Sequence, residues 1–210
     1  MVHRSDPYFL VLHALKLKGF AENELVAEVT SLAADEVDGH LASARSAGEA
    51  QRREGRVSGW SLTGDGRIRH QELLDADLDS AGCRELLAST YPDFVKLNGR
   101  FKQICTDWQI RAVGGSQVPN THDDPGYDKA VIGALGQVHG EAEPICTALA
   151  ASLGRMGLYH PRLTSALSRV ESGDRDGFTR PLANSYHDIW MELHEDLLMG
   201  LKLARTAADA

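Results

Sequence analysis

The sequence predicts a mainly α-helical protein of 210 residues, and three observations predict it. Gly55 to Arg67 reads GRVSGWSLTGDGR, where four glycines punctuate two short segments and Trp60, Leu62 and Thr63 give the second one strand character. Short helical patterns joined by a tight turn stand before that stretch. From residue 70 to 205 the chain then reads as almost entirely helical, with no further strand and no repeat. Helix, turn, helix and then hairpin is the order of a winged helix-turn-helix. The predicted fold class is therefore a winged helix-turn-helix with a small β-hairpin wing over residues 1–72, followed by a helical-bundle domain over 73–210.

Each element has its own signal. Asp6 and Pro7 supply an N-cap and a first helical position for a helix ending at Lys18-Gly19, with Leu12 and Leu15 inward. Glu22, Asn23 and Glu24 start a short helix carrying Leu25, Val26 and Val29, with acidic residues placed to suit the helix dipole. Thr30-Ser31-Leu32-Ala33 turns into a third helix, Ala34 to Ala47, with Val37, Leu41 and Ala44 inward and Gly48 as its stop. Ile68, Glu72, Leu73, Asp75 and Leu78 suggest a linking helix. Tyr91-Pro92-Asp93 breaks the pattern and opens another, where Phe94, Leu97, Phe101, Ile104 and Trp108 form an apolar stripe suited to a bundle core or a dimer seam.

Ala112 to Asp123 reads as a loop with two glycines and Pro119. Asp124-Pro125 begins a helix with Val131, Leu135 and Val138 inward. Gly140 and Pro144 divide it from a second carrying Ile145, Leu149 and Leu153. Pro161 opens a helix ended by Gly173. The last helix, Pro181 to about Ala204, carries a stripe of Leu182, Tyr186, Ile189, Leu193, Leu197 and Leu201.

Leu62, Thr63, Gly64, Asp65, Gly66 and Arg67 match the "LT..G" signature with which the hairpin of MarR-like winged-helix regulators ends, and residues 8–72 resemble that family. The resemblance implies a transcriptional regulator that binds double-stranded DNA as a homodimer. Its second domain would serve dimerisation, the sensing of a small-molecule effector, or both. The third helix would then be the recognition helix. Ser31, His40, Ser43 and Arg45 are its candidate DNA contacts, and Arg52, Arg53, Arg56 and Arg67 those of the hairpin.

Charge cuts both ways. The net charge is −8, with nine Lys/Arg against eleven Asp/Glu in residues 1–72. The recognition helix opens with Asp35, Glu36 and Asp38, which either cap the helix and face solvent or meet phosphate repulsion. Arg52, Arg53, Arg56, Arg67 and Arg69 against Glu54 and Asp65 make the hairpin locally +3. The alternative is a winged-helix protein-interaction module that does not bind DNA.

In the helical region Trp108, Tyr159, Tyr186 and Trp190, with Arg180 and His187, are the candidate ligand-binding residues; an ordinary aromatic core is the other reading. His187 and His194 lie seven apart on the last helix. The run from Gly173-Asp174 to His187 is similar to the end of the ligand domain in some GntR-type regulators, but the early Asp and His of that pattern are missing. No metal site and no cofactor are assigned. A P-loop, a dinucleotide fingerprint, a nucleophile elbow and HExxH are all missing, so no catalysis is expected, and His122-Asp123-Asp124 reads as loop polarity and a helix cap. Three widely spaced cysteines without a CxxC pair, a mean hydropathy of −0.28 and the lack of a long apolar run predict a cytoplasmic protein with no membrane partner.

Overall fold

The computed structural model describes residues 1–55 and 58–204, so Arg56 lies outside the described residues. Helix makes up 71% and strand 9%, which bears out the mainly α expectation. None of the described helices is long and apolar enough to cross a membrane.

The first helix, α1 (Pro7–Lys18), starts where the Asp6 carboxylate accepts from the Phe9 amide at 3.1 Å. Gly19, at φ 71°, ends it. Ala21 then exchanges two backbone hydrogen bonds with Trp60 of the first hairpin, at 3.0 and 2.7 Å. Helices α2 (Asn23–Thr30) and α3 (Ala34–Ser46) are joined through Ser31 in the left-handed conformation. Strands β1 (Ala50–Arg53) and β2 (Gly59–Leu62) pair antiparallel, Ala50 opposite Leu62 and Arg53 opposite Gly59. Val11, Leu12, Leu15, Val26, Val37, Leu41, Ala44, Trp60 and Leu62 close into one apolar core. The inward positions read from the sequence are those buried here, and the Trp60 indole N–H donates to Asn23 at 2.7 Å.

The LTGDG run has a structural reason. Thr63 caps α4 (Gly64–Ala81): its hydroxyl accepts from the Gly66 amide at 3.0 Å and donates to the Gly48 carbonyl at 2.6 Å. A Cβ on Gly66 would sit 1.8 Å from the Glu49 carbonyl oxygen, which is backbone and cannot swing aside. Gly66→Ala is therefore expected to lower stability by about 2 kcal/mol, an overpacking effect. Its urea midpoint should fall with an unchanged slope; a midpoint equal to wild type would mean that α4 does not start against Glu49.

The second core is built on α5 (Arg84–Gln109), α6 (Pro125–Ser152), α7 (Tyr159–Glu171) and α9 (Tyr186–Leu201), with a 3₁₀ turn at Gly154–Leu158 and a short α8 (Asp176–Thr179). Phe94 and Phe101 pack on Trp190 with ring centroids 5.0 and 4.8 Å apart, and the Trp190 N–H donates to Asn98 at 2.9 Å. The stripe from Phe94 to Trp108 is bundle core. The amino-terminal residues strap this bundle. His3 bridges Leu153, with its amide donating to the Ser152 carbonyl at 3.0 Å.

Four expectations are corrected. Residues read as strandless hold a second antiparallel hairpin, β3 (Ile110–Val113) with β4 (Ser116–Pro119), turned by Gly114 and Gly115 at positive φ. Pro92 does not break α5, and Gly140 and Pro144 do not divide α6. Each proline faces solvent, as do Ala88 and Gly140 four residues earlier, so water can take the carbonyl that the ring leaves unbonded. Finally, α9 starts at Tyr186, not Pro181, because Ser185 and Asp188 form a capping box there. Leu182 lies outside it at φ 61° and is 94% exposed, so it belongs to no core stripe.

Candidate functional sites

On the first core, α3 turns Asp35, Glu36, Asp38, Ser43, Arg45 and Ser46 to solvent. Asp38 accepts from the Asn23 side chain at 2.5 Å, and His40 stands over Tyr8 with its Nε2 3.9 Å from Glu36. Ser43 and Ser46 donate their hydroxyls back to the Gly39 and Ala42 carbonyls, which leaves the oxygens as acceptors. Ser31 is exposed in the turn. The outer face of α3 is thus acidic at its start and small and polar later.

The arginines of β1 and of the first turns of α4 divide into two groups, and in β1 strand alternation separates Arg52 from Arg53. Arg52 shares a face with Trp60, its guanidinium 5.7 Å from the ring, and pairs with Glu22 at 3.7 Å and Glu54 at 3.9 Å. Arg69 is held by Glu72 at 3.0 Å and Glu49 at 4.0 Å. Arg53, on the opposite face, lines a shallow concavity with Gln51, Ser61 and Arg67. Arg67 donates to the Leu62 carbonyl at 3.3 Å, and neither Arg53 nor Arg67 has an ion-pair partner among the described residues. Among the described predicted DNA contacts, these two and Arg45 are exposed cations without an ion-pair partner.

Where the two cores meet lies a buried ionic junction. Arg155, in the 3₁₀ turn, donates to Asp196 of α9 and, at 3.3 Å, to Asp77 of α4. Tyr159 donates to Asp196 at 3.0 Å, and His13 Nε2 lies 3.2 Å from the same carboxylate. His13 Nδ1 faces His70 Nε2 at 2.9 Å, so one proton is shared between these two nitrogens. His3 and Ser5 close the far side on Asp77 at 2.7 and 3.1 Å.

Burial alone would raise the Asp196 carboxyl, but the Arg155 guanidinium and His13 beside it hold it well below the usual carboxylate range. Burial pushes Tyr159 far up, and the Asp196 charge adds to that. Burial, with His13 beside it, pulls His70 down to about 3.

The third feature is a cleft of about 680 Å³ between α6 and the end of α7. Trp108 lies at its floor, with His122 and Phe178 against its ring at centroid distances of 4.3 and 4.8 Å. His122 Nδ1 is 3.0 Å from both oxygens of Asp128, and Asn120 donates to Asp128 at 2.9 Å. Burial alone would raise the Asp128 carboxyl; the hydrogen bonds from Asn120 and His122 hold it below its ordinary value.

The structure does not gather the predicted ligand-binding residues into one pocket, although Tyr186 and Trp190 stack with ring centroids 6.1 Å apart. Trp108 lines the cleft and Tyr159 the ionic junction, while Tyr186 and Trp190 are wholly buried in the bundle core. His187 lines a groove between α1 and α9, and Arg180 is exposed and paired with Asp176. His194 is buried beside Phe94 and Tyr91, away from that groove. Among the described residues no group of three or more His, Cys, Asp or Glu is arranged to hold a metal ion. Cys83, Cys105 and Cys146 are free thiols.

Sequence reasoning missed the junction. Its signals were present as His13 inside the apolar run Phe9–Leu17, Arg155 between Leu153 and Met156, and Asp196 beside Leu197. A charged residue within an apolar stripe is either paired or costly. Comparison with protein-family models, curated proteins and solved structures finds no match for this chain.

Proposed function

We propose that the protein is a DNA-binding transcriptional regulator, with a winged helix-turn-helix over residues 1–72 resembling the MarR-like family. The observation that carries this reading is the order helix, bridging residue, helix, turn, helix, hairpin around one core, with Arg53 and Arg67 left unpaired on the hairpin's open face. In such an arrangement α3 lies in the major groove and the hairpin follows the backbone or the minor groove. The cytoplasm is the compartment this activity requires, and a homodimer matches two half-sites. The bundle supplies dimerisation, effector sensing, or both.

A duplex from the region upstream of the protein's own coding sequence, titrated across salt, tests the proposal. Arg53→Ala/Arg67→Ala is expected to reduce the slope of log affinity against log salt by roughly 0.9 for each phosphate the protein no longer neutralises. Wild-type binding no tighter than about 10⁻⁴–10⁻⁶ M, equal on an unrelated duplex, would overturn it.

One observation favours a second reading. Asp35 and Glu36 stand exposed at the start of α3, where phosphate would repel them. On that reading the same face meets a basic protein partner, and a stable heteromer without duplex retention would be the result.

A further inference from the structure

We propose that the cleft between α6 and the end of α7 binds a small aliphatic monocarboxylate, with its chain on the cleft floor and its carboxylate at a rim made by Lys129 and Arg175. This deepens the effector half of the regulator reading and rests on it only for its consequence, because occupancy itself requires no DNA.

Size comes first. About 680 Å³ lies within the range that small-ligand sites occupy, roughly 300–1,000 Å³. The walls then decide the chemistry. Lys129 and Gly133, and Ile132 and Gly136, are four apart on α6 and so share the face that lines the cleft. A Cβ built on Gly133 or Gly136 meets nothing within 4 Å, so this stretch of helix is a bare channel open to a chain. Ile132 and Val170 add hydrocarbon to it. A flat ring has little to stack on: Trp108 is only 5% exposed, with His122 and Phe178 against it. Hydrocarbon edges and bare backbone suit a flexible aliphatic chain better than an aromatic plate.

The count of charges is balanced, two cations and two carboxylates, so placement selects the headgroup. Asp128 is buried, with both oxygens taken by His122 and one also by Asn120. Glu171 is exposed at the end of α7 and adds a second carboxylate to the lining, which disfavours a dianionic headgroup. Lys129 and Arg175 are exposed on the rim, and neither has an ion-pair partner among the described residues.

His122 lines the same cleft. Its φ is 59°, a strained value for a residue other than glycine. Three contacts fix it there: its amide donates to Asn120 at 3.1 Å, its carbonyl accepts from Arg175 at 3.1 Å, and Asp128 holds Nδ1. Nε2 is the ring nitrogen that Asp128 does not engage. Strain fixed by several partners at a cleft is a mark of a binding site.

The test is calorimetric titration of the full chain with decanoate, with decylammonium, decyl phosphate and 2-naphthoate as comparison ligands. Decanoate is expected to bind with Kd below about 100 µM, and each of the other three at least about tenfold more weakly. Gly133→Leu fills the channel while improving helix propensity, so it should remove decanoate binding without lowering Tm. Lys129→Gln/Arg175→Gln should narrow the preference for decanoate over decylammonium by about tenfold, and it decides the matter if Gly133→Leu does not fold. No heat at millimolar decanoate, equal binding of decylammonium, or wild-type affinity in folded Gly133→Leu would each overturn the proposal. Duplex binding followed in the same samples separates the two readings. Absent decanoate binding with DNA retained sinks the site alone, and the converse sinks the regulator alone.

Discussion

Asp196→Ala is expected to lower stability by about 3–5 kcal/mol, because it leaves the Arg155 guanidinium buried without its main counter-charge. Arg155 and Asp196 are 7% and 0% exposed, in contact with each other and with residues of α1, α4 and α7. Asp77, 3.3 Å away, offsets part of the loss, and it is shared with His3 and Ser5. The urea midpoint is the measurement, read beside Arg155→Met/Asp196→Leu. Removing both charges together takes away the desolvation cost with the attraction, so the double variant should regain most of what the single one loses. A loss below about 1 kcal/mol for Asp196→Ala would mean that water reaches the guanidinium and that the junction is not closed.

The junction also joins the two halves of the chain. His13 comes from α1, which packs Val11, Leu12 and Leu15 into the first core and Phe9 into the second. His70 and Asp77 come from α4, whose Leu73 touches both cores. The proposed DNA-reading elements therefore rest on the bundle through buried charge as well as through hydrocarbon. Such contacts have strict geometry and suit a two-position coupling between a bundle ligand and the hairpin.

What was legible in the sequence follows from what was local. Caps and glycines at Asp6-Pro7, Gly19 and Gly48 act within four residues of the ends they set, and those ends fall within a residue or two of the positions these signals predict. Pro92 and Pro144 misled because a proline's effect depends on which face it occupies. That is a tertiary fact, although the buried stripe runs through both of them. The second hairpin was illegible for a different reason. Ile110, Ala112 and Val113 are all exposed, so no alternation of burial was there to be read. His122 and Asp128 are six apart across a turn, and the pair meets where the His122 backbone is left-handed and Asn120 bonds both, a tertiary arrangement that the spacing does not reveal.

Acid should weaken the fold earlier than its carboxylates alone would allow. His70 stacks on His13 and lies near Phe9, Asp196, Lys16 and Arg155, and burial with His13 beside it holds it down at about 3 against 6.5 in a free chain. The unfolded chain therefore binds one more proton than the folded one between about pH 6.5 and 3, and stability falls as pH drops through that window. At 1.36 kcal/mol per pH unit, the loss from His70 between pH 7.5 and 4.5 is about 3 kcal/mol. Asp196, depressed in the fold, works in the same direction but only below the ordinary carboxylate range, so the two are separable by pH. His70→Leu is expected to cost some stability at pH 7.5, since His13 Nδ1 loses its partner, yet to show a much flatter decline toward pH 4.5. The comparison is of slopes in urea midpoints across pH. Parallel slopes for the two proteins would place the proton elsewhere, and His70 would then not be the buried neutral group that links folding to pH.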